Sequence, residues 1–85
     1  MNRKKLLGRL SRGELRNVGF GDMVNLVEGF GFFLDRIQGS HHVFKHSSIS
    51  EMLNLQEVGG EAKPYQIRQF LRIVERHNLR LEHDA

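Results

Sequence analysis

Residues 30–46, FGFFLDRIQGSHHVFKH, decide the fold of this chain. They contain two runs rich in aromatic and β-branched residues, 32–38 and 43–45, on either side of Gly39-Ser40. Such runs favour strands, and a Gly-Ser pair favours a turn between them. The sequence therefore predicts a β-hairpin with two adjacent histidines next to its turn.

The remaining segments predict a third strand and two main helices. Residues 52–56 complete a three-stranded antiparallel meander, and residues 58–63 are predicted as a loop. Asp22 is predicted as the N-cap of one helix, and Pro64 lies in the first turn of another that runs to about His77. Residues 3–10 suit a short amphipathic helix or an arm that orders on binding. The fold class is α+β, in α-β-β-β-α order, with both main helices on one face of the sheet.

The charge of this 85-residue chain is moderate, at +3, but it is unevenly distributed. A basic cluster occupies the first segment, and a second set recurs every fourth residue near the end: Arg68, Arg72, Arg76 and Arg80. Spacing by four stacks such residues on one helical face. This basic stripe is suited to phosphates or to an acidic protein. The alternative is a solvated helix face partly paired with Glu75 and Glu82.

Composition excludes several classes of site. The chain has no cysteine, which excludes disulfides and thiolate chemistry. No apolar run is long enough to cross a bilayer or to serve as a secretory signal, so we expect a cytoplasmic protein with no membrane contact. His42 and His46 are about 13 Å apart on a strand, too far to share one zinc ion. We therefore expect no metal and no cofactor; the alternative is a metal site that draws on His77 and a carboxylate.

His41 is the best candidate for chemistry. Successive side chains of a strand point to opposite faces, so if Phe44 packs against the helices, His42 and His46 share its side. His41 and Lys45 then face away from the helices. An imidazole with a pKa of about 6.5 can both accept and donate a proton near neutral pH. The alternatives are an exposed turn residue for His41 and a hydrogen-bonded structural residue for His42.

Several motifs together make the chain resemble the HicA family of bacterial toxins. They are Phe30-Gly31-Phe32, Arg36, Gly39-Ser40-His41-His42, Phe44-Lys45-His46 and the helix that begins Pro64-Tyr65-Gln66. The resemblance covers about residues 20–80. It implies a fold like the double-stranded-RNA-binding domain and a metal-independent ribonuclease that cleaves messenger RNA and is inhibited by a HicB-type antitoxin. In that family the histidine after Gly-Ser is catalytic, which corresponds to His41.

The chain also departs from the family pattern. Many relatives carry a proline and a further histidine at the end of the third strand, where this chain has Asn54-Leu55-Gln56-Glu57. We divide the chain into a basic N-terminal extension (1–19), a HicA-like domain (20–80) and a tail (81–85). The residues predicted to bind nucleic acid are Lys45, Arg36, Ser40, His42, Arg68 and Arg72.

Two other functions fit the same pattern. One is a non-catalytic RNA-binding domain that contacts phosphates and 2′-hydroxyls. The other is a protein-interaction domain that uses the free face of the sheet. For the toxin, we expect an acidic antitoxin that covers His41 and engages the basic stripe.

Overall fold

The computed structural model of the protein describes residues 1–82. Its elements are α1 (Arg3–Ser11), α2 (Phe20–Gly29), β1 (Phe32–Gln38), β2 (His41–His46), β3 (Ile49–Val58), β4 (Glu61–Ala62) and α3 (Pro64–Arg76). The strands form one antiparallel sheet in the order β1-β2-β3-β4. The predicted α+β class is confirmed. Of the predicted tail at 81–85, residues 83–85 lie outside the described residues.

The prediction of three strands is wrong, because residues 58–63 are not simply a loop. Glu61–Ala62 pair with the end of β3 across a turn at Gly59-Gly60. These two glycines have φ angles of +59° and +78°, the positive values that a tight two-residue hairpin turn requires. A strand of two residues carries no hydrophobic alternation, so the sequence gives no sign of it.

The N-cap prediction for α2 is also wrong. The N-cap is Gly19, and Asp22 lies inside the first turn. The apolar face of the helix begins at Phe20, which is buried, so the helix starts before the position of the aspartate. The Asp22 carboxylate still favours this helix terminus electrostatically. By contrast, α3 begins at Pro64 and ends before His77, as predicted.

Helices α2 and α3 pack on one face of the sheet, and α1 packs against α2. The buried cluster includes Leu6, Leu10, Met23, Leu26, Phe44, Leu53, Leu55, Ile67 and Phe70. The helical alternative predicted for residues 3–10 is confirmed, and α1 contributes two leucines that are each 1% exposed. No helix within residues 1–82 has the length and apolar character needed to cross a membrane. Within the part of the chain that the structure describes, no helix covers the other face of the sheet.

Candidate active site

The alternation predicted for β2 is confirmed. His42 and His46 lie on the core side, where the His42 ring is 4.7 Å from the ring of Phe20 and the His46 ring is 5.1 Å from that of Phe32, measured between centroids. His41 and Lys45 lie on the opposite side of the sheet, which we call the open face. The open face also carries Phe33, Arg36, Val43, Met52, Asn54 and Gln56, as the strand register and alternation require.

The His41 imidazole is held from the adjacent strand by Asn54. Its Nδ1 lies 3.4 Å from Asn54 Oδ1 and 3.2 Å from Asn54 Nδ2. A carboxamide offers one acceptor and two donors, so Asn54 can match either neutral tautomer of the ring. Nε2 is the ring nitrogen that Asn54 does not engage. His41 itself is half-buried, and this exposure gives a reactant access to it.

A chain of polar contacts borders His41. Gln56 lies opposite His41 in the register, and its Nε2 donates to Ser40 Oγ at 3.3 Å. Lys63 Nζ donates to Gln56 Oε1 at 3.5 Å, and the backbone N–H of Gln56 donates to Gln66 Oε1. These contacts fix the turn on which Ser40 lies. A role for Ser40 in binding RNA remains a prediction.

Two cations lie farther along the open face and share one carboxylate. Asp35 Oδ2 is 2.7 Å from Arg36 Nη1, and Asp35 Oδ1 is 3.5 Å from Lys45 Nζ. The hydrogen bond from Arg36, supported by Lys45, lowers the pKa of Asp35 below its usual range. The register of β1 shifts between Leu34 and Arg36, which marks Asp35 as the extra residue of a β-bulge. The bulge brings Arg36 opposite Val43 and onto the open face.

The other predicted nucleic-acid-binding residues lie elsewhere. His42 faces the core, where its Nδ1 donates to the Ser40 carbonyl at 3.3 Å. Arg68 and Arg72 are exposed on the outer surface of α3, which packs its apolar face against the opposite side of the sheet from His41. Their role in binding RNA remains a prediction. An antitoxin that covers His41 and also engages the basic stripe would have to contact both sides of the sheet, and this remains a prediction.

The basic stripe itself is shorter than predicted. Arg80 follows the end of α3 and does not belong to its helical face. Arg76 does not pair with the predicted glutamates but donates to Glu51 at 2.7 Å, and His77 Nε2 lies 2.6 Å from the same carboxylate. Hydrogen bonds from Arg76 and then His77 lower the pKa of Glu51. This cluster ties the end of α3 to β3.

The open face is a surface and not a cavity. A cleft of about 420 Å³ lies at the other side of the hairpin, lined by His46, Ser48 and Asn78 among others, and it does not include His41. Across residues 1–82, no three histidine, aspartate or glutamate side chains are grouped so as to hold a metal ion. An open surface of this kind accommodates a polymer better than an enclosed small molecule.

Sequence reasoning missed three residues of this face. Asn54 stands out in the sequence only as a departure from the family pattern, although its alternation with the apolar Leu53 and Leu55 assigns it to the side of His41. Phe33 could have been assigned in the same way, from its position next to the buried Phe32. The contact of Asp35 with Arg36 and Lys45 depends on the β-bulge, and no local sequence pattern predicts that bulge.

One comparison with known proteins identifies a family. Residues 20–75 match the family model described as HicA toxin of bacterial toxin-antitoxin. The match includes α2, β1 to β4 and nearly all of α3, which is about two thirds of the 85-residue chain. Searches of curated proteins and of solved structures returned no significant match.

Proposed function

This chain belongs to the HicA family of toxins of bacterial toxin-antitoxin systems, and from that premise we propose that it is an endoribonuclease that cleaves messenger RNA in the cytoplasm. The observation that carries the proposal is the contact between His41 and Asn54 on the open face. It gives one imidazole a fixed orientation and an available nitrogen, while the other histidines of β2 are used in packing.

The proposed reaction uses the 2′-hydroxyl of RNA as the nucleophile. The 2′-oxygen bonds to the adjacent phosphorus, and the bond from phosphorus to O5′ breaks. His41 Nε2 accepts the 2′-proton and returns a proton to O5′, so that one imidazole acts as base and then as acid. The products are a 2′,3′-cyclic phosphate and a 5′-hydroxyl, with no net change in protons. DNA lacks the nucleophile and is not a substrate.

Asn54 supports this cycle by positioning the ring. When its Oδ1 accepts a hydrogen bond from Nδ1–H, the lone pair of the neutral ring lies on Nε2, where the base must act. The same hydrogen bond persists after Nε2 takes up the proton. A positioned acid or base of this kind is worth roughly 10²- to 10⁴-fold in rate.

The cations of the open face are proposed to bind RNA phosphates. Lys45 and Arg36 lie on the side of the sheet that carries His41, and both contact Asp35. The contacts with Asp35 hold the Arg36 and Lys45 side chains in place before RNA binds. An RNA phosphate that approaches these two cations then competes with the Asp35 carboxylate for them. Ser40 is proposed to contact the backbone of RNA beside His41, whereas the core-side position of His42 favours a structural role.

The partner implied by the family is an antitoxin, and we propose a HicB-type protein that covers the open face. Occlusion of His41 is the most direct way to silence an exposed site, and acidic groups on the partner would pair with Lys45 and Arg36. Arg68 and Arg72 contribute only if the antitoxin also reaches α3. We retain the division into an extension (1–19), a HicA-like domain (20–80) and a tail as a proposal.

The proposal is tested by expressing variants in bacteria. His41→Ala is expected to abolish growth arrest, because its loss removes the acid–base group and little packing. His42→Ala is the matched control, one residue away on the core side, and it should retain toxicity if it folds. Circular dichroism of both purified variants verifies folding. Full toxicity of a folded His41→Ala variant contradicts the proposal, and RNA binding without any cleavage by the wild-type protein would favour the non-catalytic alternative.

A further inference from the structure

The open face presents an aromatic ring that the reaction at His41 does not use. Phe33 is 50% exposed, whereas the adjacent Phe32 is 3% exposed and packs in the core. We propose that Phe33 is a stacking site for one unpaired base, and that the substrate is consequently single-stranded RNA. This inference rests on the proposed function and specifies its substrate class.

The surroundings of Phe33 favour a nucleotide. In the register, Phe33 lies directly opposite Lys45 on β2, and side chains opposite each other on neighbouring strands are about 5 Å apart at Cβ. Lys45 is exposed and is 3.5 Å from Asp35. An aromatic ring beside a cation offers one surface for a base and one charge for its phosphate, which is the usual composition of single-strand binding sites.

The spacing from His41 also fits a strand of RNA. Lys45 is four residues from His41 along β2, a distance of about 13 Å at 3.3 Å per residue. Val43 lies between them on the same face and is only 8% exposed. An extended RNA strand that runs along β2 would therefore meet the imidazole first, then Arg36 opposite Val43, and then Lys45 with the ring of Phe33 beside it. The stacked base would belong to a nucleotide a short distance from the cleaved bond.

A duplex does not suit this arrangement. Bases inside an RNA helix are stacked on one another, and an aromatic side chain reaches their faces only where the strand is unpaired. Every base has a π face, so stacking on Phe33 would tolerate many sequences. We therefore expect a preference for unpaired segments that is stronger than any preference for a particular base.

A protein partner is the competing occupant, and the neighbours of Phe33 argue against it. The other exposed apolar side chains of β1, Leu34 and Ile37, pair with core-side residues and so point to the opposite side of the sheet. On the open face, Phe33 instead has Lys45 and Arg36 near it. Met52 is a second exposed apolar side chain of the open face, at 46%, but Lys45 lies directly opposite Phe33, and a ring beside a cation is better matched to a nucleotide than to an apolar protein surface.

The test measures RNA affinity in the His41→Ala background, which prevents cleavage during the measurement. A labelled, unstructured RNA is titrated by fluorescence anisotropy against proteins with Phe33, Phe33→Ala or Phe33→Trp. Phe33→Ala is expected to weaken RNA binding about 5- to 150-fold, whereas Phe33→Trp should retain the affinity for RNA. Ile37→Ala is the matched control, because Ile37 is 54% exposed on the same strand but on the other side.

Abasic substitutions, made one position at a time in the RNA, identify the stacked base. One abasic position should weaken binding to the protein with Phe33, and the same position should have no further effect on Phe33→Ala. Equal affinity of Phe33 and Phe33→Ala for RNA overturns the inference, as does tighter binding of duplex than of single strands. If Phe33→Ala impairs only antitoxin binding, the ring serves the protein partner and the inference also fails.

The two proposals fail separately. Cleavage that survives His41→Ala refutes the catalytic role but leaves the affinity measurements on Phe33 intact, provided that they are repeated with a 2′-O-methyl RNA. Loss of cleavage in His41→Ala with no effect of Phe33→Ala on affinity refutes only the stacking site. Circular dichroism of each variant ensures that lost affinity reflects the surface and not unfolding.

Discussion

Replacement of Gly31 by alanine is expected to destabilise the fold by about 2–3 kcal/mol. Gly31 connects α2 to β1 with a φ of +94°, where a Cβ costs roughly 1–2 kcal/mol. The added Cβ would also lie 2.9 Å from Nε2 of His46. The Ser48 N–H donates to His46 Nδ1 at 3.1 Å, so Nε2 carries the proton and donates to the Phe30 carbonyl at 3.0 Å. Displacement of the ring breaks this bond, a loss of about 1 kcal/mol.

Gly39→Ala is the matched control for this prediction. Gly39 has a φ of +61°, and an added Cβ there meets no heavy atom within 4 Å, so the variant carries the backbone cost alone. Thermal unfolding followed by circular dichroism measures the Tm of both variants. Each 1 kcal/mol of lost stability is expected to lower the Tm by about 4–8 °C in a domain of this size. Equal losses for Gly31→Ala and Gly39→Ala would refute the role of His46, and a loss below about 1 kcal/mol for Gly31→Ala would refute the whole estimate.

Three further perturbations test other contacts. Glu51→Gln should lower the free energy of unfolding at pH 7 but not at low pH. The pKa of Glu51 is lowered in the folded protein, so the ionised carboxylate stabilises the fold at pH values above the ordinary glutamate pKa of about 4.3. This stabilisation is lost as the pH falls through the pKa of the folded state. Urea unfolding at pH 7 and pH 3 measures the difference in free energy of unfolding between the wild type and Glu51→Gln, and a difference that does not change with pH would contradict the ion pair. Asp35→Asn should strengthen RNA binding and steepen its salt dependence, because Arg36 and Lys45 are released; anisotropy titrations across salt concentrations check this, and weaker binding would count against it. Leu10→Ala should cost about 2–5 kcal/mol because the side chain is buried, and a loss below 1 kcal/mol would mean that α1 is not part of the core.

Strand alternation predicted the most about the candidate site. Phe44 is a large apolar residue, and a sheet covered on one face forces it toward the helices, so His41 had to face the other way. This inference needs only the local sequence and the presence of one covered face. The contact between His41 and Asn54 could not be predicted in this way, because it depends on the register between β2 and β3. That register shifts between Phe44 and His46, so counting residues from the turn between the two strands does not give the correct pairing at His41.

Long-range packing accounts for most of what the sequence did not reveal. The periodicity of α3 correctly predicted its length, and strand alternation predicted that the helices cover the side of the sheet opposite His41, but the sequence did not reveal that Arg76 pairs with Glu51 of β3. The position of Arg68 and Arg72 on the opposite side from the candidate site follows from that packing. Asp22 was favoured as an N-cap by its intrinsic preference, and the burial of Phe20 in the core moved the start of the helix to an earlier residue.

The central claim is that His41 performs acid–base chemistry on RNA, and the rate of RNA cleavage by purified protein tests it most directly. Wild-type protein and His41→Ala are incubated with a single-stranded RNA in excess EDTA, and the products are analysed for 2′,3′-cyclic phosphate ends. We predict cleavage by the wild type in EDTA and a fall of about 10²- to 10⁴-fold in the variant. Equal rates for the two folded proteins, or wild-type cleavage that requires an added divalent ion, would contradict the account.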